Sequence, residues 1–374
     1  MRLLLRISWS ILLGVLLLLL GQMPIGHWLT SASGNFKAPS NVINVAPAPV
    51  GSDTPTCGSG TPCRTIKYAV ESRASAGDQI QVANGQYTDT VNITIAGLKI
   101  YGADPVSTVI DGQANRGPMV TFEAGLTNST VFSGFTVRNG LAVTNAGGLL
   151  LNGSHPTLQF VIIHSNTAQA GSGGGIYMID SSPRITAATI QHNTAISGGG
   201  IYAAGNSAPI FRANTICGNT PNQFHNAGVV HIDASSNWWG TNSPQVNIDY
   251  SGSVSATPAI DAQLGIVGSG TANLPLAADK PHTLQLTMQQ GQYAPPPNTM
   301  MTLSANDVIF YNSTDTIILS VLNGVASTTI TPTVAGSLVI SATHGCQPTE
   351  PVASIARNVI KAGSSVYLPI LLKD

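Results

Sequence analysis

Tyr177 and Tyr202 each close an identical Gly-Gly-Gly-Ile-Tyr run. An aromatic face is electron-rich and accepts the C–H face of a sugar ring, so a repeated pair of outward rings is a candidate glycan platform. Trp238 and Trp239, in Asn237-Trp238-Trp239-Gly240-Thr241-Asn242, offer a second aromatic pair. A polar group gathers earlier in the chain, where Asp89, Asp104, Asp111 and Glu123 stand with Lys99 and Arg116. Glycoside hydrolysis needs two carboxylates flanking the bond, and calcium needs several oxygens. This early group is therefore where a hydrolase or lyase site is expected, although Asp111-Gly112 also reads as an ordinary turn. Farther along, Asp180 is the only carboxylate between Ala124 and Ile232. Positions one repeat away are Gly153 and Asn206 or Ser207, so no acidic pair forms there.

The elements that must position these groups are written as a repeat. Asn139, Asn166, Asn193 and Asn219 lie 27, 27 and 26 residues apart, and Pro156, Pro183 and Pro209 follow with 27 and 26. A period in the twenties means stacked units, none able to bury its apolar face alone. Stacking predicts one inward column of Ile163, Ile190 and Ile216, and a second of Leu149, Ile176 and Ile201. Strand alternation then turns Tyr177 and Tyr202 outward. A cross-strand aromatic ladder is the structural alternative to a sugar platform. The asparagines read as turn residues that tolerate left-handed angles and bond to the copies above and below. His164 falls over Gln191, one position from His192, so the histidines of the repeat do not share a face.

Composition narrows the classes. Only 8% of residues are charged, and 15 basic against 16 acidic residues give a net charge of -1, so nucleic-acid binding has no electrostatic footprint. Arg2 and Arg6 precede the apolar run Ile11 to Leu20 and the small residues Ser31 to Gly34, the pattern of a signal peptide over residues 1–34. A retained membrane anchor is the alternative, and it is the only membrane contact expected. Export suits a disulfide between Cys57 and Cys63, which bracket five residues. Cys217 and Cys346 are expected to be separate, with Cys217 a small buried hydrophobe. Residues 35–53 read as a linker. Thr65 to Ser75 predicts a helix with Ile66, Ala69 and Val70 on one face, covering the open end of the stack.

The run Cys63-Arg64-Thr65-Ile66, then Ala76-Gly77-Asp78-Gln79-Ile80-Gln81-Val82, Asn84-Gly85-Gln86-Tyr87 and Leu98-Lys99-Ile100-Tyr101-Gly102, resembles the opening of right-handed parallel β-helix proteins of the pectin-lyase-like superfamily. The Gly-Gly-Gly-Ile-Tyr and Asn-Thr-Ala units are similar to bacterial surface members of that group. Phe211-Arg212-Ala213-Asn214 resembles a motif of chlamydial polymorphic outer-membrane adhesins. The resemblance implies an all-β, right-handed parallel β-helix solenoid over residues 54–262, capped by the helix. It also implies that an enzyme of this kind would be a polysaccharide lyase, with a calcium cluster and an Arg or Lys base, or a hydrolase with several Asp residues. In that superfamily Trp238-Trp239 reads as closure of the last coil. The superfamily spans enzymes, adhesins and inert scaffolds, so it implies fold more than activity.

After a linker at 263–282, short strand-like runs at Thr283–Met288, Met301–Leu303, Val308–Tyr311, Thr316–Val321, Ala326–Ile330 and Ser337–Ala342 alternate with turns, which predicts a β-sandwich. Val325 to Thr343 resembles bacterial immunoglobulin-like repeats, implying such a module over 283–374. The expectation is a monomeric protein, secreted or on a bacterial cell surface, that binds a polysaccharide or cell-surface ligand without cofactor. The rival is a lyase or hydrolase using the early acidic group.

Overall fold

The computed structural model describes residues 41–113, 117–267, 276–297, 299–305, 308–310, 314–346 and 351–360. The expected leader, the 268–275 stretch of the second linker, the last residues from 361 and Arg116 lie outside them.

Two parallel sheets wind the first part of the chain into a β-solenoid. One sheet stacks Val91–Ile93, Val120–Phe122, Leu149–Asn152, Ile176–Ile179, Ile201–Ala204, Phe224–Asn226 and Tyr250–Gly252, seven strands and thus six turns from first to last. Its inward column runs Val91, Val120, Leu149, Ile176, Ile201 and Phe224, all buried. The second sheet carries two more. Ile43, Ile80, Ile100, Phe132, Leu158, Ile185 and Phe211 form one. Ile110, Val137, Ile163, Ile190 and Ile216 form the other. Each fully buried aliphatic or aromatic side chain contributes about 1.5–3 kcal/mol by leaving water. Repetition of these columns is what holds the rod together.

The solenoid starts earlier than its sequence suggests. Val42–Val45, within the expected linker, pairs in parallel with Gln79–Val82 as the first rung. The predicted helix is present but short: Ile66–Tyr68 is α-helical and Ala69–Arg73 continues as a π-helix, closed by Ala74 N–H donating to Ala69 O at 3.0 Å. Thr65 caps it by accepting from Tyr68 N–H at 3.1 Å. Ile66, Ala69 and Val70 are buried as a face should be. Cys57 and Cys63 form the expected disulfide beside it.

The asparagine ladder is real from Asn166 onward. The Asn166 backbone N–H and side-chain amide both donate to Asn193 Oδ1 at 3.0 Å. Asn193 repeats this on Asn219 Oδ1 at 2.9 Å. Asn139 does not belong to the ladder. The coil after it closes in 26 residues, Val131 pairing with Thr157, so a 27-residue spacing overshoots by one. Gly140 occupies the ladder position, its N–H donating to Asn166 Oδ1 at 2.9 Å. Asn139 falls instead with Ser165, His192 and Gly218, the column with left-handed angles of φ 53–66°. The ladder asparagines themselves are not left-handed. A second ladder, Asn214 over Asn237, breaks the period with a spacing of 23 residues.

From Asp261 the chain builds antiparallel strands, except that Leu276–Ala277 pairs in parallel with Ala353–Ile360. Asp261–Ile266, His282–Gln289, Val325–Pro332 and Val308–Phe310 form one sheet; Leu276–Ala277, Ala353–Ile360, Gly336–His344, Met300–Ala305 and Thr316–Ser320 form another. All six predicted strands of this part are present. The boundary expected at residue 262 falls inside the strand Asp261–Ile266, which pairs with His282–Gln289. Leu284, Leu286, Met301, Leu303, Leu338 and Ile340 share one buried cluster with Trp238 of the solenoid.

That module is fastened to the rod. Contrary to the expectation of separate cysteines, Cys217 and Cys346 form a disulfide. Cys217 continues the outward column Asp111, Arg138, His164, Gln191. It is buried because the C-terminal module covers it, not because it faces the solenoid core. Thr215 Oγ1 lies 3.3 Å from Thr299 Oγ1, and Asn242 Nδ2 donates to Val352 O at 2.9 Å.

Candidate functional site

The outward column of the first sheet gathers the sugar-platform candidates. Thr121, Leu150, Tyr177, Tyr202, His225 and Ser251 stand in register on successive coils. The Tyr177 and Tyr202 rings are stacked, with centroids 5.3 Å apart and planes 7° from parallel. His225 extends the stack at 5.2 Å and 30° from Tyr202. The 5.3 Å centroid distance is close to the spacing of about 4.8 Å between neighbouring strands, so each ring follows the coil that carries it.

The glycines beside them are sterically required. Gly173 has φ +70° and Gly198 φ +58°. A Cβ on Gly173 would lie 2.7 Å from Tyr177 Cβ and 2.6 Å from Ile176 O. These turns fold bare backbone against the root of each tyrosine and fix its direction. Behind them, a Cβ on Gly175 would meet Asn193 Nδ2 at 2.9 Å, so the asparagine ladder backs the same turns.

The column is polar without being charged. Burial, then the neighbouring Tyr202, push the Tyr177 phenol up, so it stays a neutral donor and acceptor. Burial pushes the His225 imidazole down, favouring its neutral form. His225 Nδ1 lies 2.6 Å from Ser251 Oγ, which also accepts from Asn222 Nδ2 at 3.0 Å. Ring faces flanked by phenol, imidazole and hydroxyl groups suit a neutral, hydroxyl-rich ligand. His225 was not visible from the period, because its coil is 23 residues long against the 25 that separate the tyrosines.

The other candidates are placed differently. Trp238 and Trp239 are both fully buried, Trp238 with the C-terminal cluster and Trp239 in the solenoid core against Tyr250. They close the last coil and present no ring to a ligand. The early acidic group is dispersed. Asp104 caps its own turn, accepting from Val106 N–H and Ser107 Oγ. Glu123 follows the strand Val120–Phe122 of the first sheet, whereas Lys99 pairs within the second between Gln79 and Val131. Asp89 lines a cavity of about 280 Å³ with Arg64, Thr65, Gln86 and Tyr87, with no second carboxylate. Asp111 is buried and fully engaged. It accepts from Arg138 Nε at 2.8 Å, Asn139 Nδ2 at 2.9 Å, Gln86 Nε2 at 3.2 Å and Gln113 N–H at 3.2 Å. Burial pushes its pKa up, but the bonds from Asn139, Arg138 and Gln113 outweigh that and hold it below the usual carboxylate range. Among the described residues, no three carboxylates bring ligand atoms together; Cys217, His344 and Cys346 are the one such group of three metal-ligating side chains.

Comparison with known proteins agrees with this architecture. Residues 65–216 match the family described as "Right handed beta helix region", and the solenoid is a right-handed parallel β-helix. Among solved structures, the chain is similar to pectin methylesterase PemA from Erwinia chrysanthemi, at 14% identity and a TM-score of 0.29. That alignment covers 54% of this chain and 67% of the other, a likeness too low to bear on activity. No curated protein matches the chain.

Proposed function

We propose that this protein binds a polysaccharide or a glycan-bearing surface through the Tyr177–Tyr202–His225 column, holding the polymer without cutting its backbone. The observation that carries the reading is the stack of outward aromatic rings on consecutive coils. A ligand lying along the column would meet one ring per coil, about every 4.8 Å. In the same reading residues 1–34 direct export to the outside or surface of a bacterium. The two C-terminal sheets act as an immunoglobulin-like sandwich that spaces or anchors the rod, and the protein works as a monomer.

Binding of the full-length protein to a panel of neutral and acidic polysaccharides tests this. The Tyr177→Ala/Tyr202→Ala variant should bind at least about tenfold more weakly, equivalent to about 1.4 kcal/mol. Tyr177→Phe/Tyr202→Phe should retain most of the affinity, since the ring faces remain. Unchanged binding by the alanine variant would remove the tyrosine site. The lyase or hydrolase reading finds less support, because Asp111 is already saturated with donors. Incubation with polygalacturonate or alginate, with and without calcium, should release no product. Release that Asp111→Ala abolishes would reverse the preference.

A further inference from the structure

The joint between rod and module combines three features that a simple covalent tie does not need. His344, buried at 5% exposure, points Nδ1 at the cysteine pair, 3.7 Å from Cys217 Sγ. The same Nδ1 accepts the Cys346 backbone N–H at 3.2 Å, which marks it as the unprotonated nitrogen; a bound metal would take that lone pair over from the N–H. Both sulfurs and this nitrogen lie within 4.8 Å of one another. His344 also lines a cavity of about 320 Å³, whose walls include Val106, Ile162, Gln191, His192 and Met300. Gln191 Oε1 lies 3.7 Å from Cys346 Sγ. Two thiolates and one imidazole are the protein ligands of a known type of tetrahedral zinc site, which takes its fourth ligand from outside this set.

We propose that, when the Cys217–Cys346 bond is reduced, Cys217, Cys346 and His344 bind a zinc-type divalent ion that holds the C-terminal module on the rod in place of the disulfide. A small-molecule thiol supplies the reduction. Two thiols give two electrons and two protons to the protein disulfide and leave as their own disulfide. Each protein thiol then loses its proton as the metal binds, so uptake of one ion releases two protons. The fourth position falls to water or to the Gln191 amide oxygen, which lies beside Cys346 Sγ. The inference is independent of the glycan reading, because it involves the opposite sheet and none of its residues.

Cobalt(II) tests it, since a cobalt–thiolate bond gives an intense charge-transfer band that a carboxylate or imidazole site lacks. Full-length protein reduced under anaerobic conditions should bind one cobalt ion with that band, and zinc should bleach it. The His344→Ala variant should lose affinity at least about tenfold, the lower end of what even outer-shell changes cost a metal site. The oxidised protein should show no band. Zinc should also raise the melting temperature of the reduced protein and leave that of the oxidised protein unchanged. Absence of the band in reduced wild-type protein overturns the proposal without any variant having to fold. An equal affinity in His344→Ala overturns the assignment of the imidazole.

Discussion

Asn193→Ala tests the ladder that underlies the rod and its aromatic face. Asn193 is completely buried, and its side chain makes four bonds. Its Nδ2 donates to Ile163 O and Asn219 Oδ1, both at 2.9 Å. Its Oδ1 accepts from Asn166 N–H and Asn166 Nδ2, both at 3.0 Å. The Asn166 amide nitrogen of the side chain keeps a second partner, Val137 O at 3.0 Å, and Asn219 Oδ1 keeps the Asn193 backbone N–H. Two groups therefore lose the partner supplied by Asn193 inside the rod: the Asn166 backbone N–H and the Ile163 carbonyl. A buried polar group left unsatisfied costs about 1–3 kcal/mol, so the substitution should cost about 4 kcal/mol. A domain of 150–250 residues loses about 2–4 °C per kcal/mol, which converts to roughly 10 °C.

Urea unfolding followed by far-ultraviolet circular dichroism measures the loss. Hydrogen exchange at the Asn166 amide reads the local effect, and that amide should exchange faster than those two coils away. Asn206→Ala, an exposed asparagine on the same coil region, is the control and should change stability by no more than about 0.5 kcal/mol. A loss below about 1 kcal/mol in Asn193→Ala, with the Asn166 amide still protected, would refute the claim that the ladder carries the turns. Because a Gly175 Cβ would meet the same amide, the variant should also loosen the turn that launches Tyr177 and weaken glycan binding in proportion.

Gly173→Ala places a Cβ against Tyr177 Cβ at a backbone angle of φ +70°, so it should cost about 1–3 kcal/mol and displace the ring, measurable as lower melting temperature and weaker binding. Asp111 makes stability acid-sensitive. Its folded pKa lies below its ordinary value of 3.8, so its contribution is present above that value and disappears as pH falls through the lower folded one. Arg138→Met should flatten this acid limb in a pH series of melting curves while lowering stability at neutral pH by about 3–5 kcal/mol, because a buried carboxylate loses its cation. An unchanged acid limb in that variant would show that Arg138 does not hold Asp111 in its ionised state.

The inward columns were legible because burial imposes a strict pattern: Ile163, Ile190 and Ile216 must recur wherever a strand faces the core. Asn139 misled because spacing and register are different quantities. An extra residue in a coil shifts the period without shifting the ladder, and only the pairing of Val131 with Thr157 shows where the count changes. The strand Val42–Val45 was hidden among Pro, Ser and Asn residues that usually mark a linker; its place is decided by pairing with Gln79–Val82, nearly forty positions away. Cys217 was expected to be a small buried hydrophobe, yet alternation with the inward Ile216 turns it outward. Its burial comes from a module encoded more than a hundred residues later. His225 joined the aromatic column only when the short coil before it was closed.

Alternation divides the outer surface of the rod into two columns with different employment. On the second sheet Asp111, Arg138, His164, Gln191 and Cys217 run in register toward the joint, and three links to the C-terminal module start on that sheet: Thr215 to Thr299, Gln191 and Cys217 to Cys346. On the first sheet Leu150, Tyr177, Tyr202, His225 and Ser251 stay half-buried at the surface, and among the described residues none of these links involves them. Docking the module on one sheet thus leaves the aromatic column of the other open. The arrangement has a consequence for selection of residues along the rod. Inward and ladder positions must repeat for the coils to stack, so they cannot distinguish one ligand from another. Only the outward positions are free to differ from coil to coil, and on the open sheet the chain has placed rings at three consecutive coils.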